Sequence, residues 1–176
     1  MAELEVLLDA EKIARRVAEL GAELDVFVAE NPSEQPILLA GVLKGACFFL
    51  ADLARVMRSP AEIDFLRVAS YGDSHTSSGE IRLSKDLETS IEGRHVVLVE
   101  DIVDTGLTLS YLRKMLNARG PTSLQTAALL DKPERRKVAL EVDYLGFQIP
   151  DHFVVGYGLD FAERYRNLPD VCVYKP

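Results

Sequence analysis

The segment that most restricts the possible folds of this chain is a short apolar run that ends abruptly in acidic residues. Val96-Val97-Leu98-Val99 is wholly apolar and mostly β-branched. This composition is typical of a strand buried on both faces of a parallel sheet. Glu100 and Asp101 follow it directly, and the sequence Asp-Thr-Gly-Leu-Thr comes next at 104–108. Because ligands of open α/β sheets bind at the carboxyl ends of strands, these residues are candidates for a functional site.

The rest of the chain alternates predicted helices and strands. Ile13, Val17, Leu20 and Leu24 recur at helical spacing and predict an amphipathic helix over about 9–29, which Asn31-Pro32 ends. The other predicted helices cover 46–57 and 107–118, and the predicted strands cover 36–42, 62–71, 81–83, 95–100, 123–130 and 153–156. Residues 133–150 are charged and predicted to be irregular. The pattern predicts one α/β domain over residues 1–176, a doubly wound, mostly parallel sheet flanked by helices.

The loop after the apolar run combines two kinds of ligand chemistry. Thr105, Gly106 and Thr108 supply hydroxyls, backbone N–H groups and a helix N-terminus, which together favour a phosphate. Glu100 and Asp101 repel a phosphate but suit a sugar diol or a divalent cation. The loop therefore predicts a ligand with a phosphate, vicinal hydroxyls and Mg²⁺, which a phosphorylated ribose satisfies.

These residues resemble a known family. The segment 96–108 closely resembles the phosphoribosyl-pyrophosphate (PRPP) binding motif of type I phosphoribosyltransferases. Leu43-Lys44-Gly45 is similar to the family's pyrophosphate loop, and Ser70-Tyr71 to the start of its mobile lid. Residues 151–168, which begin Asp-His-Phe-Val, are similar to the end of hypoxanthine-guanine phosphoribosyltransferases. The resemblance runs from about Gly41 to the C-terminus and implies a sheet with a small hood formed by the terminal segments.

The resemblance also implies an activity in purine salvage. The reaction would be transfer of 5-phosphoribose from PRPP to N9 of hypoxanthine or guanine, giving IMP or GMP and pyrophosphate, with Mg²⁺ as cofactor. The implied assembly is a homodimer or homotetramer. Asp104 would be the general base beside the purine N7, because an ionised aspartate can accept that proton at neutral pH.

Other residues receive roles through the same resemblance. The implied PRPP contacts are Lys44, Gly45, Glu100, Asp101, Asp104, Thr105, Gly106, Leu107, Thr108 and Arg166, and the implied Mg²⁺ ligands are Glu100, Asp101 and Asp160. The implied purine contacts are Lys132, Phe153, Val154 and Asp160. Lys132 is a donor without acceptor capacity, so it would favour a 6-oxopurine over adenine. A cis peptide before Lys44 is also implied, and Ala46 stands where many relatives carry a second glycine.

Each of these residues also has a plain structural interpretation. Asp104 is also typical of a helix N-cap or turn, and Phe153 of core packing. The residues for which a solvated surface charge is the alternative are Glu100, Asp101, Lys44, Lys132, Asp160 and Arg166, and for the adjacent pair Glu100 and Asp101 this alternative is the weaker one. Three carboxylates within five residues favour the functional interpretation, because their mutual repulsion needs a compensating cation or ligand.

Composition narrows the class of protein. A net charge of -8 and a pI near 4.9 argue against a nucleic-acid partner, which would need a basic face. No membrane span and no signal peptide are evident, so we expect a cytoplasmic protein. Cys47 and Cys172 stand among apolar neighbours, and we expect two buried structural thiols.

Two other function classes remain open from sequence. One is a regulator that senses PRPP and binds nucleic acid, against which the acidic pI counts. The other is an aspartic protease, since Asp104-Thr105-Gly106 is also its active-site tripeptide. The single copy of that tripeptide and the α/β pattern count against the protease.

Overall fold

A six-stranded sheet forms the centre of the molecule. The structure is a computed structural model that describes residues 3–70 and 81–176. The strands are β1 (Glu3–Leu8), β2 (Ile37–Val42), β3 (Ala61–Ser70), β4 (Ile81–Lys85), β5 (His95–Val103), β6 (Ser123–Asp131), β7 (Tyr144–Gln148), β8 (Val154–Val155) and β9 (Val171–Lys175). The helices are α1 (Ala10–Glu30), α2 (Cys47–Val56) and α3 (Leu107–Asn117), with a short 3-10 turn at Pro133–Arg135.

The order of strands in this sheet creates a crevice between β2 and β5. The order is β4-β3-β2-β5-β6-β7, and all pairs are parallel except β3 with β4. From β2 the chain passes through α2 to β3 on one side, and from β5 it passes through α3 to β6 on the other. Ligands of such sheets bind where the direction of winding reverses, at the carboxyl ends of the strands. The fold therefore places the loops after β2 and β5 at one site.

Both faces of the sheet are covered, as the apolar run of β5 predicts. Val97 and Val99 pack in the core on the side of α1 and α2, which contribute Leu20 and Phe49. Val96 and Leu98 pack on the opposite side, in the core that α3 joins. The alternation of side chains along a strand accounts for this division. The prediction of a doubly buried strand in a mostly parallel α/β sheet is confirmed.

The terminal segments form the predicted hood. β1, β9 and β8 make a separate antiparallel sheet in the order β1-β9-β8. Asp170, just before β9, accepts a 2.7 Å hydrogen bond from the backbone N–H of Ala10 at the start of α1. The hood strand β8 thus stands close to the chain ends and leads into the loop that begins at Gly156.

The structure differs from the sequence predictions at several points. No strand was predicted for β1 or for β9, the two longer strands of the hood. The segment 133–150 contains a strand, β7, which pairs with β6. Its Gly146 obscured the pattern, yet a β-carbon there would lie 2.3 Å from the carbonyl oxygen of Leu129, so the pairing requires glycine. β5 also continues to Val103, past the predicted end at 100. Cys172 is buried as predicted, but the prediction for Cys47 is wrong, because its thiol side chain is exposed at the first position of α2.

The predicted lid runs from Ser70 to about Lys85, and its part from about Tyr71 to Gly79 is predicted to be the most mobile. Residues 71–80 lie outside the described residues. The described parts of the lid are the backbone of Ser70 at the end of β3 and the strand β4 at Ile81–Lys85. No helix within residues 3–70 and 81–176 is both long and apolar enough to cross a membrane.

Candidate active site

The loop after β2 brings its backbone against the end of β5. The peptide between Leu43 and Lys44 is cis, as predicted. Gly45 follows, and a β-carbon on it would lie 1.5 Å from Oδ2 of Asp101. Ala46 is fully buried with a right-handed helical backbone (φ -68°, ψ -8°), so the alanine fits without the freedom of a glycine. The loop and the acidic end of β5 are therefore in direct contact.

The loop after β5 forms a small cavity at the N-terminus of α3. The cavity is about 90 Å³ and is lined by Glu100, Ile102, Val103, Asp104, Thr105, Gly106, Thr108 and Leu109. Gly106 has a φ of +81°, a left-handed conformation that glycine adopts without strain. The first N–H groups of a helix lack intrahelical acceptors, and two threonine hydroxyls stand beside them here. This end of the cavity can accept an anion such as a phosphate.

The pKa values of the Glu100 and Asp101 carboxyl groups are both raised. Burial, with a smaller contribution from the charge of Asp101, raises the pKa of Glu100 well above its usual value. Burial also raises the pKa of Asp101 to about 6, against the lowering effect of backbone hydrogen bonds and of Arg166. Carboxylates held in this way favour a cation or hydroxyl donors close by.

The hood contributes a second set of charges. Arg166 donates a 2.7 Å hydrogen bond to the carbonyl oxygen of Gly158 and lies 2.8 Å from Oδ1 of Asp160. Lys44, on the loop after β2, pairs at 3.0 Å with Glu163, which sequence reasoning did not single out. A β-carbon on Gly158 would lie 2.1 Å from the carbonyl oxygen of Gly45. The hood loop and the loop after β2 therefore pack backbone to backbone.

The predicted purine contacts lie at the end of β6 and on the hood. Lys132 directly follows β6 and is buried, and its Nζ lies 3.4 Å from Oδ1 of Asp151. Val154 is buried in β8. Phe153 is 52% exposed, so the core interpretation of this residue is wrong. Its ring meets Phe161 and Tyr174 edge to face, which supports it while one surface stays accessible.

Asp104 belongs to an ion-pair chain that the sequence did not indicate. Nε of Arg135 lies 2.5 Å from Oδ1 of Asp104, and Nη1 of Arg135 lies 3.2 Å from Oδ2 of Asp151. Asp151 in turn contacts Lys132. The only sequence signal was the charged run after Lys132, which does not reveal a partner that precedes Arg135 by 31 residues.

The acidic residues suit a divalent cation that arrives with a ligand. Among the residues described, no group of three or more His, Cys, Asp and Glu side chains forms a ready metal site. Mg²⁺ is commonly held by one or two carboxylates together with substrate oxygens and water. Glu100 and Asp101, with Asp160 close enough to Asp101 to influence its pKa, fit that mode of binding.

The chain is similar to known proteins in both sequence and fold. The family model described as the phosphoribosyl transferase domain matches residues 4–162. The chain is 51% identical over 171 residues to the hypoxanthine-guanine phosphoribosyltransferase of Bacillus subtilis, covering 97% of this chain and 93% of that one. It is similar to the crystal structure of a Bacillus anthracis hypoxanthine-guanine phosphoribosyltransferase, with a TM-score of 0.89, 40% identity and 99% of both chains covered. The hypoxanthine phosphoribosyltransferase of Trypanosoma cruzi in complex with the product IMP has a TM-score of 0.92 and 43% identity, covering 99% of this chain and 95% of that one.

Proposed function

The chain belongs to the phosphoribosyltransferase family, among the hypoxanthine-guanine phosphoribosyltransferases, and on that premise we propose how its residues carry out the reaction. It is a purine salvage enzyme that transfers 5-phosphoribose from PRPP to N9 of hypoxanthine or guanine and releases pyrophosphate. Residues 1–176 act as one phosphoribosyltransferase domain in this proposal.

The observation that carries the proposal is the convergence of three loops at one edge of the sheet. The loop after β2 supplies Lys44, the loop after β5 supplies Asp104, and the turn after β6 supplies Lys132. β2, β5 and β6 are adjacent in the sheet, so these loops are neighbours. A pyrophosphate contact, a proton acceptor and a donor for a base thus stand side by side.

PRPP is held by the loops after β2 and β5. The N–H groups and hydroxyls at Thr105–Thr108, Leu107 included, bind the 5-phosphate. Glu100 and Asp101 bind the ribose hydroxyls. Lys44, the backbone of Gly45 and Arg166 bind pyrophosphate and stabilise its negative charge as it leaves. Mg²⁺, held by the acidic residues described above, would supply further charge neutralisation on the phosphates.

The purine lies between the end of β6 and the hood. Lys132 donates to the 6-oxygen, and the exposed ring of Phe153 stacks on the base. Val154 contributes its backbone and its buried side chain to the floor of this site. Asp104 accepts the proton from N7 while N9 attacks C1 of the ribose, whose positive charge grows as pyrophosphate departs. Nearby carboxylates stabilise that charge.

The oligomeric state and location extend the proposal. A homodimer or homotetramer is supported by Phe48 and Val56, two exposed apolar side chains eight residues apart on one face of α2. A cytoplasmic location is supported by the exposed thiol of Cys47, which a reducing compartment preserves. Sedimentation equilibrium of the wild type beside a Phe48→Ser, Val56→Ser variant measures the assembly.

The test of function is direct identification of the product. The protein is incubated with PRPP, MgCl₂ and hypoxanthine or guanine, and nucleotide and pyrophosphate are quantified together. We expect IMP or GMP in a one-to-one ratio with pyrophosphate, and loss of both products when EDTA is added. If neither base gives a nucleotide, the assignment is overturned.

A gel-shift assay with RNA and DNA at low salt tests the alternative of a regulator that binds nucleic acid. We expect no binding.

A further inference from the structure

Arg135 joins two acidic residues that face the proposed purine site from different elements. Its guanidinium contacts the Asp104 carboxylate through Nε and the Asp151 carboxylate through Nη1. Asp151 is also paired with Lys132, so charges alternate along the chain Lys132–Asp151–Arg135–Asp104. The two ends of this chain are the proposed donor to the purine 6-oxygen and the proposed base at N7.

We propose that Arg135 is a positioning residue that holds the Asp104 carboxylate and sets its place relative to Lys132. The proposal rests on the function assigned above. A planar guanidinium with donors in a fixed fork can hold two carboxylates at a defined separation, which a lysine ammonium cannot do as well.

The backbone around Arg135 is itself well anchored. Its N–H bonds at 3.1 Å to the carbonyl oxygen of Lys132, whose own N–H bonds at 2.9 Å to the carbonyl oxygen of Val103. Arg136 donates at 2.8 Å to the backbone carbonyl oxygen of Asp104. Two consecutive arginines therefore hold Asp104, one at its backbone and one at its carboxylate.

The geometry of a 6-oxopurine explains why this matters. The 6-oxygen and N7 lie side by side on one edge of the base. A base that presents an acceptor at position 6 and an N–H at position 7 needs a donor and an acceptor at a matching spacing. Asp104 is on a loop and its side chain is 40% exposed, so without a partner its carboxylate could rotate. Arg135 contacts Oδ1, which leaves Oδ2 for the N7 proton.

The experiment compares Arg135→Gln with Lys137→Gln in the chain of 176 residues. Both changes remove one positive charge from exposed residues of the same segment, but no side-chain ion pair of Lys137 occurs among the described residues. For Arg135→Gln we expect kcat/KM for hypoxanthine to fall by about 10-fold, the effect of losing one charged hydrogen bond, while KM for PRPP changes less than about 2-fold. Lys137→Gln should match the wild type, and Arg135→Lys should recover only part of the loss.

A double-mutant cycle with Asp104→Asn identifies the route of the effect. If Arg135 acts through Asp104, Arg135→Gln should change the residual activity of Asp104→Asn by less than about 2-fold. Three results would overturn the proposal. The effects of Arg135→Gln and Asp104→Asn on kcat/KM could multiply in the double variant, or Arg135→Gln could raise KM for PRPP as much as it raises KM for hypoxanthine. The third result is an Arg135→Gln variant whose kinetics match those of Lys137→Gln. An inactive wild type would instead overturn the assigned function, so the two failures are distinguishable.

Discussion

A β-carbon on Gly45 would lie 1.5 Å from Oδ2 of Asp101, so the loop after β2 and the end of β5 are in direct contact. Such a distance forces one group to move. The movable group is the Asp101 carboxylate, which the proposed function places on the ribose hydroxyls of PRPP. The glycine at position 45 therefore leaves the space that the Asp101 carboxylate occupies.

Gly45→Ala should preserve the fold and raise KM for PRPP by about 10-fold or more, because a carboxylate that must rotate away loses a charged hydrogen bond. Initial rates at varied PRPP measure this. The control is the same substitution in an Asp101→Ala background, where the obstructing oxygen is gone and Gly45→Ala should add little. An equal effect in both backgrounds would show that the contact with Asp101 is not the cause.

Asp104→Asn should lower kcat by roughly 10²–10⁴, the usual worth of a general base, because an amide cannot accept the N7 proton. PRPP affinity, measured by calorimetry, should stay close to that of the wild type. Near-normal turnover would leave Asp104 as a turn residue.

Asp101→Asn should stabilise the protein at pH 7 when neither Mg²⁺ nor PRPP is present. The pKa of Asp101 is raised from 3.8 to about 6 by burial, so the native state binds this proton more tightly than the unfolded state. Its contribution to the free energy of unfolding therefore falls as the pH rises from about 4 to 6. Asparagine does not ionise, so the variant does not lose this contribution as the pH rises. Its free energy of unfolding should exceed that of the wild type by at most about 3 kcal/mol at pH 7, and the difference should vanish near pH 4.

Denaturant unfolding across this pH range measures the effect, and Asp86→Asn provides a control of opposite sign. Hydrogen bonding to Arg119 lowers the pKa of Asp86, so its contribution is present at neutral pH and lost as the pH falls through its native pKa. That variant should be less stable than the wild type at pH 7. An Asp101→Asn variant that is also less stable at pH 7 would contradict the burial argument.

Lys132→Ala should raise KM for hypoxanthine by about 10–100-fold and leave KM for PRPP within about 3-fold, since a hydrogen bond from a charged group is worth roughly 1.5–3 kcal/mol. Because Lys132 is buried, the truncation also removes packing. Lys132→Met keeps most of the stem and removes only the donor. Agreement between the two variants supports the donor role, and normal kinetics in Lys132→Met would remove it.

The sequence predicted the architecture because its signals are local. The apolar run Val96–Val99 and the helical spacing of Ile13 to Leu24 each depend on neighbours in the chain, and both are confirmed. The strand β7 was not predicted, because five residues with an internal glycine show no clear alternation of apolar and polar side chains. Its Gly146 is explained only by the backbone of Leu129, which belongs to another strand.

The features of the site also fall into two groups, those that the local sequence reveals and those that only the fold creates. The phosphate loop at Thr105–Thr108 is contiguous, so its chemistry follows from the order of its residues alone. The contacts of Arg135 with Asp104 and of Glu163 with Lys44 join residues far apart in the chain, which spacing does not reveal. The pKa of about 6 for Asp101 likewise depends on tertiary burial rather than on the residue itself.

The most direct test of the account is the rate of pyrophosphate release from PRPP across hypoxanthine, guanine, xanthine and adenine. An N–H donor of the buried Lys132 satisfies the 6-oxygen, but with adenine the same donor meets an amino group and finds no acceptor on the base. In a desolvated site, that mismatch costs enough for a discrimination of about 10⁴ in kcat/KM. We predict activity on hypoxanthine and guanine, weaker activity on xanthine and essentially none on adenine. A wild-type protein that preferred adenine, or a pyrimidine such as orotate, would contradict the purine site built on Lys132.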